Sequence, residues 1–204
     1  MIKSVFPLPQ NKKKVKVVFD DGQTLITFGE TLDERGIKEG SEVSFDKLRE
    51  YAEDGERHLA IKKATETLAK SLKSEKQLRQ FLYEKGFSSK AIECALERMK
   101  EYGYADDAKF AAAYVDFHCA KYGRKKLLYE LQTAKGVDKD IAFSAVYDAL
   151  SDEDELRKAT AFAEIFYRKA ANKKNPAEKL YAHLYAKGFE NEIIIKAIGA
   201  VTEE

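Results

Sequence analysis

One pattern is written three times in this chain, and it narrows the fold more than any other feature. Leu78, Leu82, Lys85 and Gly86 lead into Phe87, Ile92 and Leu96, and Leu180, Leu184, Lys187 and Gly188 lead into Phe189, Ile194 and Ile198 at the same offsets. Between them, Leu127, Leu131, Lys135 and Gly136 lead into Val137, Ala142 and Val146, with one extra residue before the glycine. The three glycines lie 50 and 52 residues apart. A period of that size predicts a stacked helical array, each unit burying its apolar face against its neighbours. Arrays of this kind present surfaces rather than pockets, so function is sought first in an exposed face.

Helix punctuation divides each unit into three helices. The first is expected to carry Ile61, Ala64 and Leu68, then Phe110, Ala113 and Phe117, then Ala163, Phe166 and Ala170, at three- and four-residue spacing. The second opens at Ser74 with Gln77 (a capping box), at Gly123, and at Asn175 followed by Pro176 and Glu178. It ends at the Lys-Gly pair, where glycine accepts the left-handed conformation that stops a helix. The third starts at Ser88 or Ser89, Asp138 and Glu190. These glycines are structural and are assigned no chemistry.

Residues 1–50 differ. Val15 to Phe19 and Leu25 to Phe28 read as strands around the turn Asp20-Asp21-Gly22, and Glu42 to Phe45 is a candidate third strand. The expected architecture is mainly α: three tandem three-helix units, with a small β-rich N-terminal extension. Its segments are 1–50, 51–103, 104–151 and 152–204. Nine Lys/Arg balance nine acids in 1–50, so this segment is expected to contribute no binding, and a chain starting near Gly55 to fold alone.

With 44% apolar and 35% charged residues among 204, the chain has ample core and a highly charged surface. No run of about 18 apolar residues exists to span a membrane. Met1 to Gln10 runs into Lys12-Lys13-Lys14 without a signal-peptide core. Cys94 and Cys119 lack a metal spacing and are read as reduced thiols, which points to a cytoplasmic protein.

Catalytic chemistry finds little support. Gly86 to Lys90 lacks the glycine and Lys-Ser/Thr ending of a phosphate loop. His58, His118 and His183 fall at three different offsets, so no ligand position repeats. Asp106-Asp107 and Asp152 to Glu155 precede helices, where carboxylates cap amides and complement the dipole. No enzyme, metal or cofactor is expected.

Charge, in contrast, alternates in phase with the repeat. Residues 57–90, 119–135 and 158–187 carry +6, +4 and +5, while 91–118, 136–157 and 188–204 carry −3, −5 and −3. The same corner is basic three times: Lys70, Lys73, Lys76 and Arg79 in the first unit, Lys121, Arg124, Lys125 and Lys126 in the second, Lys169, Lys173 and Lys174 in the third. Arg124 to Lys126 oppose the macrodipole of the helix they begin, so local stability did not select them. These eleven residues are the candidate contacts for phosphates or an acidic protein surface. Tyr104, Tyr114 and Tyr122 are weighed as base-stacking rings, with core packing the simpler role.

Two stretches resemble the RecX family of regulatory proteins, over roughly residues 57–200. Gly-Tyr-Ala-Asp-Asp-Ala-Lys-Phe-Ala at 103–111 is similar to its Gly-Tyr-Leu-Asp-Asp-x-x-Phe-Ala signature, with Ala105 in place of leucine. Gly-Arg-Lys-Lys-Leu-Leu-Tyr-Glu-Leu at 123–131 is similar to its Gly-x-x-Arg-Ile-x-x-Glu-Leu stretch. The resemblance implies an extended crescent that binds the RecA recombinase filament and limits its activity in recombination and DNA repair. It also implies binding to DNA, without catalysis; single strands are the expected partner, duplexes a further candidate, with the order of preference left open, and a monomer is expected. A helical DNA- or RNA-binding module without a recombinase partner is the alternative, and a scaffold protein the third.

Overall fold

A computed structural model of the chain describes residues 1–170 and 175–202. It divides into two compact units: residues 1–72 with 78–105, and residues 73–77 with 106–204.

The first unit opens with an antiparallel sheet in the order β1 (Ile2–Leu8), β2 (Asn11–Phe19), β3 (Thr24–Phe28). The β2–β3 hairpin turns at the expected place, with Gly22 at φ +86°. β1 is the third strand, and the expected strand at Glu42 to Phe45 does not form. Ser44 instead caps a helix, accepting from the Lys47 amide at 3.3 Å. Pro7 and Pro9 obscured β1 in the sequence, yet a strand at the sheet's border accommodates proline. Val17, Phe19 and Ile2 pack one face of the sheet on Leu32 of α1 (Gly29–Glu34) and Leu48 of α2 (Phe45–Leu68).

No boundary falls at residue 50. α2 runs unbroken for 24 residues, from the sheet's own core into that of the first helical unit. Phe28 stacks on Phe87 with centroids 4.9 Å apart, and Lys14 pairs with Glu56 at 3.4 Å. A chain beginning near Gly55 would lose the first half of α2 and uncover Phe87.

Helical units follow in threes: α2 with α3 (Glu75–Glu84) and α4 (Ser89–Glu101); α5 (Asp107–His118), α6 (Arg124–Tyr129) and α7 (Lys139–Ala149); α8 (Asp152–Ala170), α9 (Pro176–Ala186) and α10 (Asn191–Thr202). Each trio encloses a separate apolar core. The leucine pairs 78/82, 127/131 and 180/184 are all fully buried. In the first helices, the buried pairs are Ala60/Ala64, Ala111/Val115 and Ala159/Ala163. Phe117, expected in the core, is 81% exposed, and Ala113 is exposed too. The turn between the first and second helices differs in length among the trios, so offsets counted back from the glycine slip around the helix.

The glycine stops form as expected. Gly86, Gly136 and Gly188 have φ +86°, +70° and +85°. The Phe87 and Phe189 amides reach back five residues to the Leu82 and Leu184 carbonyls, both at 3.3 Å. The equivalent bond from Val137 goes to Leu131, six residues back, at 2.9 Å. The extra residue of the middle copy is absorbed in a π-turn, Glu130–Ala134, that continues α6.

Each stop is also a seat for another segment. The Ser74 hydroxyl, which exchanges the expected capping-box bonds with Gln77, donates to the Lys135 carbonyl at 2.5 Å. The Gly123 amide donates to the Lys187 carbonyl at 2.9 Å and the Lys125 amide to the Gly188 carbonyl at 3.0 Å. Asn11 of β2 does the same for the first stop, its side-chain amide donating to the Lys85 carbonyl at 3.4 Å. Asn175 departs from expectation. It sits at φ +54°, makes no side-chain cap, and donates instead to Glu178 at 2.9 Å.

These seats rank the glycines. A Cβ on Gly86 would meet only the tip of the Asn11 side chain, 2.6 Å away, whereas one on Gly188 would strike the Lys126 backbone nitrogen at 2.5 Å. Gly86→Ala should cost about 1–2 kcal/mol for its left-handed backbone. Gly188→Ala should add overpacking to that and reach about 3 kcal/mol or more. Urea titrations of the two variants check the ranking, and equal losses would contradict it.

Arg124 is the tie that secures the second trio to α8. Only 3% exposed, it donates through its guanidinium to the Leu150 carbonyl (3.0 Å from Nε) and to Asp152 (2.5 Å), and lies 4.6 Å over the Tyr147 ring. Its backbone amide donates to the fully buried Glu155 at 3.2 Å. Removing the Arg124 side chain leaves the buried Leu150 carbonyl without its donors and uncovers the Tyr147 ring. Arg124→Ala should therefore lower stability by about 2–3 kcal/mol, while Lys125→Ala on the exposed side of the same turn should stay within about 0.5 kcal/mol.

Candidate nucleic-acid and partner interface

The basic corner lies at the junction of the first and second helices of each trio, and in the first two trios the start of the second helix seats on a glycine stop through Ser74, Gly123 and Lys125. Of the eleven predicted contact residues, Lys70, Lys121, Lys125 and Lys169 are exposed, and no ion pair is recorded for any of them among the described residues. Lys73 is half-buried. Lys76 donates to the Thr133 carbonyl at 2.9 Å, reaching the π-turn. Arg79 of α3 forms an ion pair with Glu93 of α4, which draws the Glu93 carboxyl below its usual range. Lys173 and Lys174 lie outside the described residues.

Arg124 is withdrawn from this set. The sequence reading placed it beside Lys125 and Lys126 as a phosphate contact, but it is buried and saturated by Leu150, Asp152 and Tyr147. Asp152 at the start of α8, with which it pairs, lies 28 residues away in sequence and gave no local signal. Three cations at the first turn of α6 thus divide their tasks: one anchors, one stands in solvent, and Lys126 lies 4.1 Å over the Tyr122 ring while its backbone abuts Gly188.

Tyr122 ends an aromatic ladder along α5. His118 stacks 6.0 Å from Tyr122 and lies tilted 4.3 Å from Tyr114, with exposed Phe117 edge-on to His118 at 5.0 Å. Tyr114 is half-buried and donates its hydroxyl to Glu130 of the π-turn. Burial, and then the adjacent Glu130 carboxylate, push the Tyr114 phenol well above its ordinary range. It is a packing residue. Tyr104 is 54% exposed and meets Tyr102 edge-on at 5.9 Å.

Most residues of the two signature stretches are structural. Gly103 ends α4 at φ +68°, and Asp106 caps α5 by accepting from the Ala108 and Lys109 amides at 3.0 Å, bonds that hold its carboxyl below the usual range. Asp107 accepts from the Glu75 amide at 2.8 Å, while Phe110 and Ala111 fill the core. In the second stretch, Gly123 is indispensable: a Cβ there would lie 2.4 Å from the Gly188 oxygen. Among the described residues no group of His, Cys, Asp and Glu is arranged to hold a metal, and no helix is long and apolar enough to cross a membrane.

Comparison with known proteins agrees with this architecture. Residues 60–99 match the family described as RecX, first three-helix domain. The chain is 31% identical over 192 residues to Regulatory protein RecX of Clostridium perfringens (strain SM101 / Type A), covering 92% of this chain and 90% of that protein. It is 33% identical over 183 residues to Regulatory protein RecX of Caldanaerobacter subterraneus subsp. tengcongensis, covering 89% and 90%. A crystal structure of regulatory protein RecX superposes with a TM-score of 0.68 at 18% identity, over 94% of this chain and 95% of the other. That of RecX from Lactobacillus salivarius gives 0.68 at 21%, over 74% and 99%. Repeated glycine stops, three-helix units, both signature stretches and near-full-length similarity converge on one assignment: the chain belongs to the RecX family of regulatory proteins.

Proposed function

We propose that this protein binds the RecA recombinase filament together with its DNA and restrains recombination and repair activity. The observation that supports the reading most is the recurrence of solvent-facing cations around the junction of the first and second helices of each trio. Lys70, Lys121, Lys125 and Lys169 stand there without a recorded protein anion among the described residues. Spaced cations of this kind follow a phosphate backbone rather than enclose a small molecule. The relatives are named regulatory proteins. The protein acts in the cytoplasm as a monomer.

Two measurements test the proposal. Sedimentation with RecA filaments, formed with and without DNA, should carry the protein down; binding to free DNA alone would favour a nucleic-acid module without a recombinase partner. Lys121→Ala with Lys125→Ala should reduce the slope of log affinity against log salt on single strands by ~1.4, at ~0.7 per phosphate contact. Neither side chain holds the fold together, so the melting temperature should hardly move. Unchanged salt slopes would remove this corner from the DNA interface.

A further inference from the structure

We infer that the outward face of the N-terminal sheet, centred on Phe6, Lys16 and Ile26, is a binding platform for single-stranded nucleic acid, separate from the helical corners. Strand register sets the geometry. Phe6 pairs with Lys16 and Lys16 with Ile26, so the three form one row across β1, β2 and β3 on a single face. The next row, Val5, Val17 and Leu25, belongs to the opposite face, which packs on Leu32 and Leu48. Phe6 and Ile26 are 55% and 53% exposed, at positions where an open sheet face ordinarily places polar residues.

Charge separation within this segment supports a polyanionic occupant. Residues 1–50 balance nine cations with nine acids, but the balance conceals a division. Residues 2–19 hold five lysines and no acid, residues 24–28 hold no charge, and every acid of the segment lies at Asp20 or beyond. Lys14 is taken by Glu56. Lys3, Lys12, Lys13 and Lys16 are exposed, and no ion pair is recorded for them among the described residues. The carboxylates that do reach the strands act elsewhere: Glu39 accepts from the Val5 amide at 2.8 Å, and Asp20 lies 3.7 Å from the terminal amine.

Lysines on strands often serve to discourage edge-to-edge pairing. That role does not account for Lys16, which lies in the middle of the central strand, already paired on both sides. Nor does it account for an exposed phenylalanine directly beside it. An open ring and an aliphatic side chain flanking a cation, on an open sheet face, suit unstacked bases with their phosphates. A duplex keeps its bases stacked and would offer Phe6 nothing to lie against.

The test uses the full-length chain and fluorescein-labelled oligothymidine, titrated at several salt concentrations beside a duplex of equal length. Phe6→Ala should weaken single-strand binding about tenfold with little change in salt slope, and Phe6→Tyr should bind like wild type. Lys12→Ala and Lys16→Ala together should lower the slope by ~1.4, at ~0.7 per contact. All variants are melted first. Should Phe6→Ala fail to fold, the exposed lysine variant and Phe6→Tyr decide the matter. Wild-type affinity and slope in the lysine variant would overturn the inference. Equal loss on single strands and duplex would also overturn it, leaving general attraction without stacking. Unaltered DNA binding with lost filament binding would assign the face to an acidic protein instead. Because Lys121 and Lys125 are untouched, failure here leaves the helical-corner proposal standing.

Discussion

The fold rests on one recurring contact: the amide or hydroxyl of one segment seated on the carbonyl of a helix that has just stopped at a left-handed glycine. A stopped helix leaves several carbonyls without intrahelical partners, and a starting segment leaves donors in the same condition. Here the two deficits cancel. Ser74 covers Lys135, Gly123 and Lys125 cover Lys187 and Gly188, and Asn11 covers Lys85. Glycine is required twice over, once for its φ and once because the neighbouring backbone or side chain arrives inside the space of a methyl group. At Gly123 only the second reason applies, since its φ is an ordinary −82°.

Asn11 gives the N-terminal sheet a place in this scheme. It occupies, toward the first stop, the position that helix starts occupy toward the other two. The sheet thereby covers an end of the first trio's core, and stacks Phe28 on Phe87 where that core would otherwise meet water. Terminal units of helical arrays commonly need such a cover. This one is made of strands: Phe28 and Lys14 lie at one end of the same face as Lys16 and Ile26, and beyond them that face stays open.

Local chemistry was legible in the sequence, and long-range pairing was not. The glycine stops, the capping box at Ser74 and Gln77, the cap at Asp106 and the hairpin at Gly22 each depend on residues within a few positions of one another. β1 was missed because two prolines mask a border strand whose partner alone identifies it. Phe117 was misplaced because turn lengths vary, and a one-residue slip rotates a helical position by about 100°. Arg124 was misjudged because its partners Leu150 and Asp152 come from another helix boundary. Of the candidate contact residues, those that turned out to be solvent-facing had no feature in the sequence that set them apart from the one that anchors.

The π-turn at Glu130–Ala134 shows how the array accommodates a change in length. One residue added to a helix would ordinarily swing everything after it by about 100°, taking Val137 out of its core and the Lys135 carbonyl away from Ser74. Here the surplus is confined to a single widened loop of backbone, and both contacts are kept. The same turn carries a further contact: the Thr133 carbonyl accepts from the Lys76 ammonium at 2.9 Å. The inserted segment thus grips the helix start packed on it at two points, through the Ser74 hydroxyl and through the end of a lysine side chain.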